Sequence, residues 1–94
     1  MEFEFNAEVI EWRGPAPFYF APTPQEVTDE IELYKNELTY GWGVIPARIT
    51  IGNTTVRTSL IPRQGSFYVP LKDAIRKPNG IELGDEVEIL LELG

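Results

Sequence analysis

Strict alternation of apolar and polar residues, in four separate runs, constrains this chain more than any other feature of its sequence. Phe3, Phe5, Ala7 and Val9 alternate with Glu2, Glu4, Asn6 and Glu8, and Ile45, Ala47, Ile49 and Ile51 with Arg48 and Thr50. Val56, Thr58 and Leu60 alternate with Thr55, Arg57 and Ser59, and Val87, Ile89, Leu91 and Leu93 with Glu86, Glu88 and Glu92. A period of two places each set on one face of an extended strand, so every run reads as a strand with one side in a core and the other in water.

The stretch from Gly41 to Leu93 is the densest part. Gly52-Asn53 stands between two alternating runs and reads as a hairpin turn. Pro62 to Gly65 reads as the next turn, and Phe67, Val69 and Leu71 as the inward set of a third strand. These three consecutive strands make a meander. Pro46 has no N–H to give to a ladder, so its strand is expected at an edge or bulged there. Asp73 to Lys77 reads as one or two helical turns ended by Pro78-Asn79-Gly80, and Leu83-Gly84-Asp85-Glu86 as a tight turn into the closing strand.

In the first half, the phase slips after Val9, where Ile10 and Trp12 become the apolar positions, as a β-bulge would produce. Gly14-Pro15 makes a turn, and Pro17 to Ala21 suits a strand at an edge or rim. Thr23 as N-cap, Pro24 at the first helical position and Glu26 as the partner in a capping box predict a helix from Pro24 to about Glu37. Val27, Ile31, Tyr34 and Leu38 form its apolar stripe. Gly41-Trp42-Gly43 then breaks the chain. The expected fold is mainly β: a single domain over residues 1–94, a small closed barrel of about six strands with one α-helix and one short helical segment.

Composition excludes several functions. The 94 residues contain no cysteine and no histidine. Disulfides, thiolate nucleophiles and cysteine zinc sites are therefore ruled out, and the usual near-neutral proton shuttle is missing. A reducing cytoplasm is the expected compartment. The acidic start Met1-Glu2-Phe3-Glu4-Phe5 lacks the basic region of a signal peptide, and no apolar run approaches a membrane span. A net charge of −7 argues against nonspecific binding to nucleic acid or anionic membrane. The charge is segregated, however: residues 48–77 hold Arg48, Arg57, Arg63, Lys72, Arg76 and Lys77 against Asp73 alone, while the remainder holds two basic and fourteen acidic residues. Either the two blocks pair across the fold, or the basic one forms an anion-attracting patch.

No catalytic or metal motif is present. Ser59 or Ser66 with Lys72 as base, and an Asp73/Asp85 pair, are the only constellations with catalytic chemistry. A serine on an alternating strand is ordinarily its polar face, and the two aspartates stand where a helix start and a Gly-Asp turn want them. The carboxylates lack the clustered loop spacing of a calcium site. The stronger grouping is Arg57, Arg63, Lys72 and Arg76 with Ser59, Trp42 and Tyr68, since a guanidinium fork matches phosphate or carboxylate and an aromatic ring can stack beside it. These four cations are expected to line one concave patch that holds a phosphate, sulfate or carboxylate.

Gly41-Trp42-Gly43, Arg57-Thr58-Ser59-Leu60, Pro62, Gly65, the Val69-Pro70-Leu71-Lys72 to Arg76 run and Gly84-Asp85-Glu86-Val87 together resemble a family of small bacterial and archaeal proteins, the domain of unknown function DUF1905. The resemblance covers nearly the whole chain. It implies a double-split β-barrel, the architecture of AbrB-type regulators and MazE-type antitoxins. Those proteins carry basic arms and dimerise through swapped hairpins; the acidic N-terminal half here is unlike them, so the likeness bears on fold more than on DNA binding. Some members carry a further C-terminal helical segment linked to bacteriocin protection, a role not expected of a chain ending at Gly94. The resulting expectation is a non-enzymatic module, monomeric or homodimeric and without cofactor, that binds a small anionic ligand or a protein partner. A DNA-binding regulator and a small enzyme are the alternatives.

Overall fold

The structure is a computed structural model, and it describes residues 1–12, 18–39 and 44–94. Strands β1 (Glu2–Glu8), β2 (Ile10–Trp12) and β3 (Phe18–Pro22) precede helix α1 (Gln25–Leu38). Strands β4 (Ile45–Ile51), β5 (Thr54–Arg63) and β6 (Ser66–Pro70), helix α2 (Asp73–Asn79) and strand β7 (Glu86–Leu93) complete the order. The strands form one antiparallel sheet in the order β1-β7-β4-β5-β6-β3-β2.

This sheet is an open half-barrel of seven strands, which corrects the closed barrel of about six. The reason lies at Val9. Its N–H donates to the Asp85 carbonyl and its own carbonyl accepts from Gly84, after which the chain leaves β7 and Ile10 pairs with Phe20 of β3. The phase slip after Val9 is thus a change of partner strand rather than a bulge. β1 and β2 are the two edges of the sheet, yet they are consecutive in sequence, so the chain joins the edges without a ladder between them.

The alternating runs keep their predicted faces. Phe5, Ile45, Ile49, Leu60, Val69, Ile89 and Leu91 meet in the core with Ile31 of α1 and Ile75 of α2. Both central hairpins turn through two residues: Gly52-Asn53 with Gly52 at φ 60°, and Gln64-Gly65 with φ 51° and 75°. The two successive positive φ values at Gln64-Gly65 match the twist of the flanking strands, as a type I′ turn requires, whereas in the first turn only Gly52 takes a positive φ. The second turn is therefore tighter than Pro62 to Gly65, and Pro62 and Arg63 remain on β5. Pro46 lies within a central strand, opposite Ser59, but the β7 ladder begins only at Ala47, so Pro46 has lost one neighbour where its missing N–H matters. β3 is not an edge either, because the short β2 covers it.

The expected capping box at α1 is absent. Pro24 occupies the N-cap and no side chain caps the helix. The Thr23 hydroxyl instead lies 2.7 Å from that of Thr28 and accepts from the Phe67 N–H at 3.4 Å, while Ser66 donates to the Thr23 carbonyl at 3.1 Å. A buried backbone donor elsewhere claimed the hydroxyl, since leaving it unsatisfied costs more than an uncapped helix end in water. Val27 and Ile31 bury the helix, and Tyr34 is exposed. α2 continues through Pro78 and stops at Gly80, φ 60°, where Gly80 donates to Lys77 and Ile81 to Arg76 in a Schellman arrangement. Among the described residues no helix is long and apolar enough to cross a membrane.

Candidate functional site

The β2-β3-β6 end of the sheet carries apolar side chains on both faces, with Glu11 opposite Tyr19 on the inner one. Residues paired across antiparallel strands share a face, and the pairs Ile10↔Phe20, Trp12↔Phe18, Phe20↔Pro70 and Ile61↔Tyr68 place a set of aromatic and aliphatic groups on the side away from the core. There Trp12 packs on Phe20 (centroids 6.4 Å) and Phe20 on Tyr68 (5.7 Å) in tilted geometry. Trp12, Phe18 and Ile61 stay 46%, 54% and 38% exposed. Single exposed apolar groups are ordinary, but three on one patch are informative.

This patch opens into a groove of about 620 Å³, whose opposite wall comes from Thr58 and Ser59 of β5 and from Lys72, Asp73 and Arg76 at α2. Ile75, fully buried against the core, fixes α2 there and so sets where Arg76 emerges one residue later. The Arg76 guanidinium lies 4.3 Å over the Tyr19 ring, and its Nη2 donates to Asp73 Oδ1 at 2.6 Å. Asp73 also meets Lys77 at 3.6 Å. Arg63 stacks in the same manner on Trp12, 4.0 Å from the ring centroid. Two polar atoms of groove residues, Thr58 Oγ1 and Arg76 Nε, are buried without a hydrogen-bond partner among the described residues. Native interiors rarely leave such groups unsatisfied without a reason in function or strain.

The structure divides the predicted basic cluster. Ser59, Lys72 and Arg76 line the aromatic groove, and Arg63 lies against one of its aromatic rings. Arg57 does not join them: it faces Arg48 across the β4-β5 ladder and lines a separate cavity of about 350 Å³ with Glu2 and Glu92. One shared patch of four cations is therefore corrected. The cause is the tight Gln64-Gly65 turn, which keeps Arg63 on β5 six residues beyond Arg57, about 20 Å along an extended strand. Tyr68 is buried, stacked on Phe20, with its hydroxyl donating to Gln64 Oε1 at 3.4 Å, and is not part of the groove wall. Trp42 lies outside the described residues. Ser66 and Asp85 serve the fold, Ser66 through Thr23 and Asp85 by accepting from the Glu82 N–H at 2.9 Å.

Reading the sequence missed Trp12, Phe18 and Tyr19. The signal was there: three consecutive aromatics, Phe18-Tyr19-Phe20, supply both faces of a strand, and the slip at Ile10 sends Trp12 to the outer face. Among the described residues no group of three or more acidic residues is arranged to hold a metal ion.

An open β half-barrel with two helices and an aromatic, cation-rimmed groove defines a small β-rich domain with one composite pocket wall. The chain belongs to the family described as "Domain of unknown function (DUF1905)", whose model matches residues 5–91. No curated protein matches the sequence.

Proposed function

We propose that this domain is a non-enzymatic binding module whose ligand, a small organic molecule, seats in the groove between the aromatic face of β2-β3 and the Thr58, Ser59 and α2 wall. The observation that carries this reading is the conjunction in one concavity of exposed aromatic rings with the polar and cationic side chains Ser59, Lys72 and Arg76. Ligand pockets of this size combine apolar walls with a few directed polar groups in the same way. Asp73 is held by Arg76 and Lys77 and Ser66 by Thr23, which supports binding over catalysis. Arg48 and Arg57 stand beside Glu2 and Glu92, an arrangement less suited to a phosphate backbone than a continuous basic face. The lack of cysteine supports a cytoplasmic setting.

A fragment library screened by two-dimensional ¹⁵N–¹H NMR tests the proposal. Hits are expected to shift the resonances of Trp12, Phe18, Ser59, Ile61 and Arg76 together. Hits confined to the surroundings of Arg57, or spread without pattern, refute it.

A further inference from the structure

The groove joins two unlike walls, and their chemistry restricts what can bridge them. One side offers Trp12 and Phe18, rings with their outer surfaces in water, while Ile61 of β5 adds a branched chain beside Ser59. The other offers Lys72 and Arg76 against a single carboxylate, that of Asp73. The rim is locally cationic although the chain as a whole carries −7. Lys72 makes no ion pair among the described residues. Arg76 is braced from two directions, by the Tyr19 ring beneath it and by Asp73 at Nη2, so its planar fork is held in place before any ligand arrives. A fixed guanidinium loses little freedom on binding and favours a flat, bidentate oxyanion over a point charge.

Resting on the groove reading above, we infer that the ligand is an amphipathic anion: a flat aromatic or compact apolar body against Trp12, Phe18 and Ile61, with a carboxylate directed to Arg76 and Lys72. Phosphate alone does not meet this description, since it leaves the apolar wall uncovered. Asp73 has a definite part in the arrangement. It occupies Arg76 Nη2 at 2.6 Å and sits 65% exposed at the same rim, so it both orients the guanidinium and competes with an incoming anion. Neutralising it therefore strengthens the attraction, opposite to the usual effect of a substitution at a binding rim.

The test uses a matched pair of probes, naphthalene-2-carboxylate and naphthalene-2-carboxamide, on the full chain. Trp42→Phe leaves Trp12 as the sole tryptophan, and its fluorescence is read beside the groove NMR resonances. The carboxylate is expected to bind about tenfold tighter than the amide at low salt, the gap narrowing about threefold at 0.5 M NaCl as the charges are screened. Arg76→Gln is expected to bring the two affinities level, and Asp73→Asn to tighten the carboxylate about threefold. Asp73 is exposed, so that variant and the salt series test the inference even if Arg76→Gln folds poorly. If both probes bind the groove equally well, the anionic head is refuted and the groove stands. If neither shifts Trp12, Ser59 or Ile61 at millimolar concentration, both readings fall.

Discussion

Arg76→Met separates a residue kept for binding from one kept for stability. The side chain is 23% exposed, so its contacts are partly but not wholly desolvated. Its stack on Tyr19 at 4.3 Å contributes about 0.5–1 kcal/mol. The pair with Asp73 adds only about 0.3 kcal/mol, because the carboxylate is 65% exposed and screened by solvent. Against these stands Nε, buried without a partner among the described residues, a group whose removal regains about 1 kcal/mol or more. Methionine replaces most of the aliphatic stem, so packing against Tyr19 changes little. The terms cancel to within about 1 kcal/mol, which for a domain of this size is a melting shift of less than roughly 5 °C. Urea denaturation followed by circular dichroism at 222 nm measures it, with the m-value unchanged if only stability moves. The same variant is expected to lose about 90% of its preference for the carboxylate probe over its amide, equivalent to the one charge-assisted contact removed. A loss of more than about 2 kcal/mol would refute the reasoning, because it would make the guanidinium a strut of the fold.

Gln64→Asn, measured in a Tyr68→Phe background that removes the 3.4 Å bond from the Tyr68 hydroxyl, is expected to stabilise the protein by about 0.5 kcal/mol, because Gln64 holds φ 51° in a type I′ turn where asparagine is at home; a lowered urea midpoint would count against that turn. Ile31→Ala should cost about 3–4 kcal/mol, since Ile31 is wholly buried and ties α1 to the sheet; calorimetry showing under about 1 kcal/mol would mean that α1 is not docked there. Glu8→Lys should add about 0.5 kcal/mol by ending the direct like-charge pair Glu8↔Glu86, with the gain vanishing in 1 M NaCl; a gain indifferent to salt would point to a cause other than charge.

The fold was legible wherever one face of a strand is dry and the other wet. Period-two alternation located β1, β4, β5 and β7 because each of those strands separates core from water, so hydrophobicity alone reports orientation. Closure was not legible, because alternation carries no information about which strand a residue pairs with. The change of partner at Val9 and a bulge there leave the same mark on the sequence. Thr23 illustrates another limit: its neighbours Pro24 and Glu26 spell a helix start, but the competing donor, the Phe67 N–H, is 44 residues away. Local signals describe what a hydroxyl could do nearby, and the tertiary partner decides which option is used.

The site was half legible for a related reason. Ser59, Lys72 and Arg76 were identified by charge and position, and they do meet at one wall, because the β5-β6-α2 succession is local in sequence. The other wall comes from β2 and β3, some forty residues earlier in the chain, and its groove-lining residues Trp12, Phe18, Tyr19 and Phe20 carry no charge to draw attention. Its residues looked like core, but they lie on the outer face: Phe20 is buried there between Trp12 and Tyr68, while Trp12 and Phe18 are half in water. A sheet that is apolar on both faces normally has a second layer to cover the outer one. Here α1 packs against β4 and β6, and α2 against β5, so neither helix is the principal cover of the outer face of β2 and β3. That uncovered apolar face next to a braced arginine is what distinguishes this corner of the domain from an ordinary solvated rim. It is also why the discriminating measurement joins a flat apolar body to a single removable charge: each wall is then questioned separately, and the aromatic one can succeed while the cationic one fails.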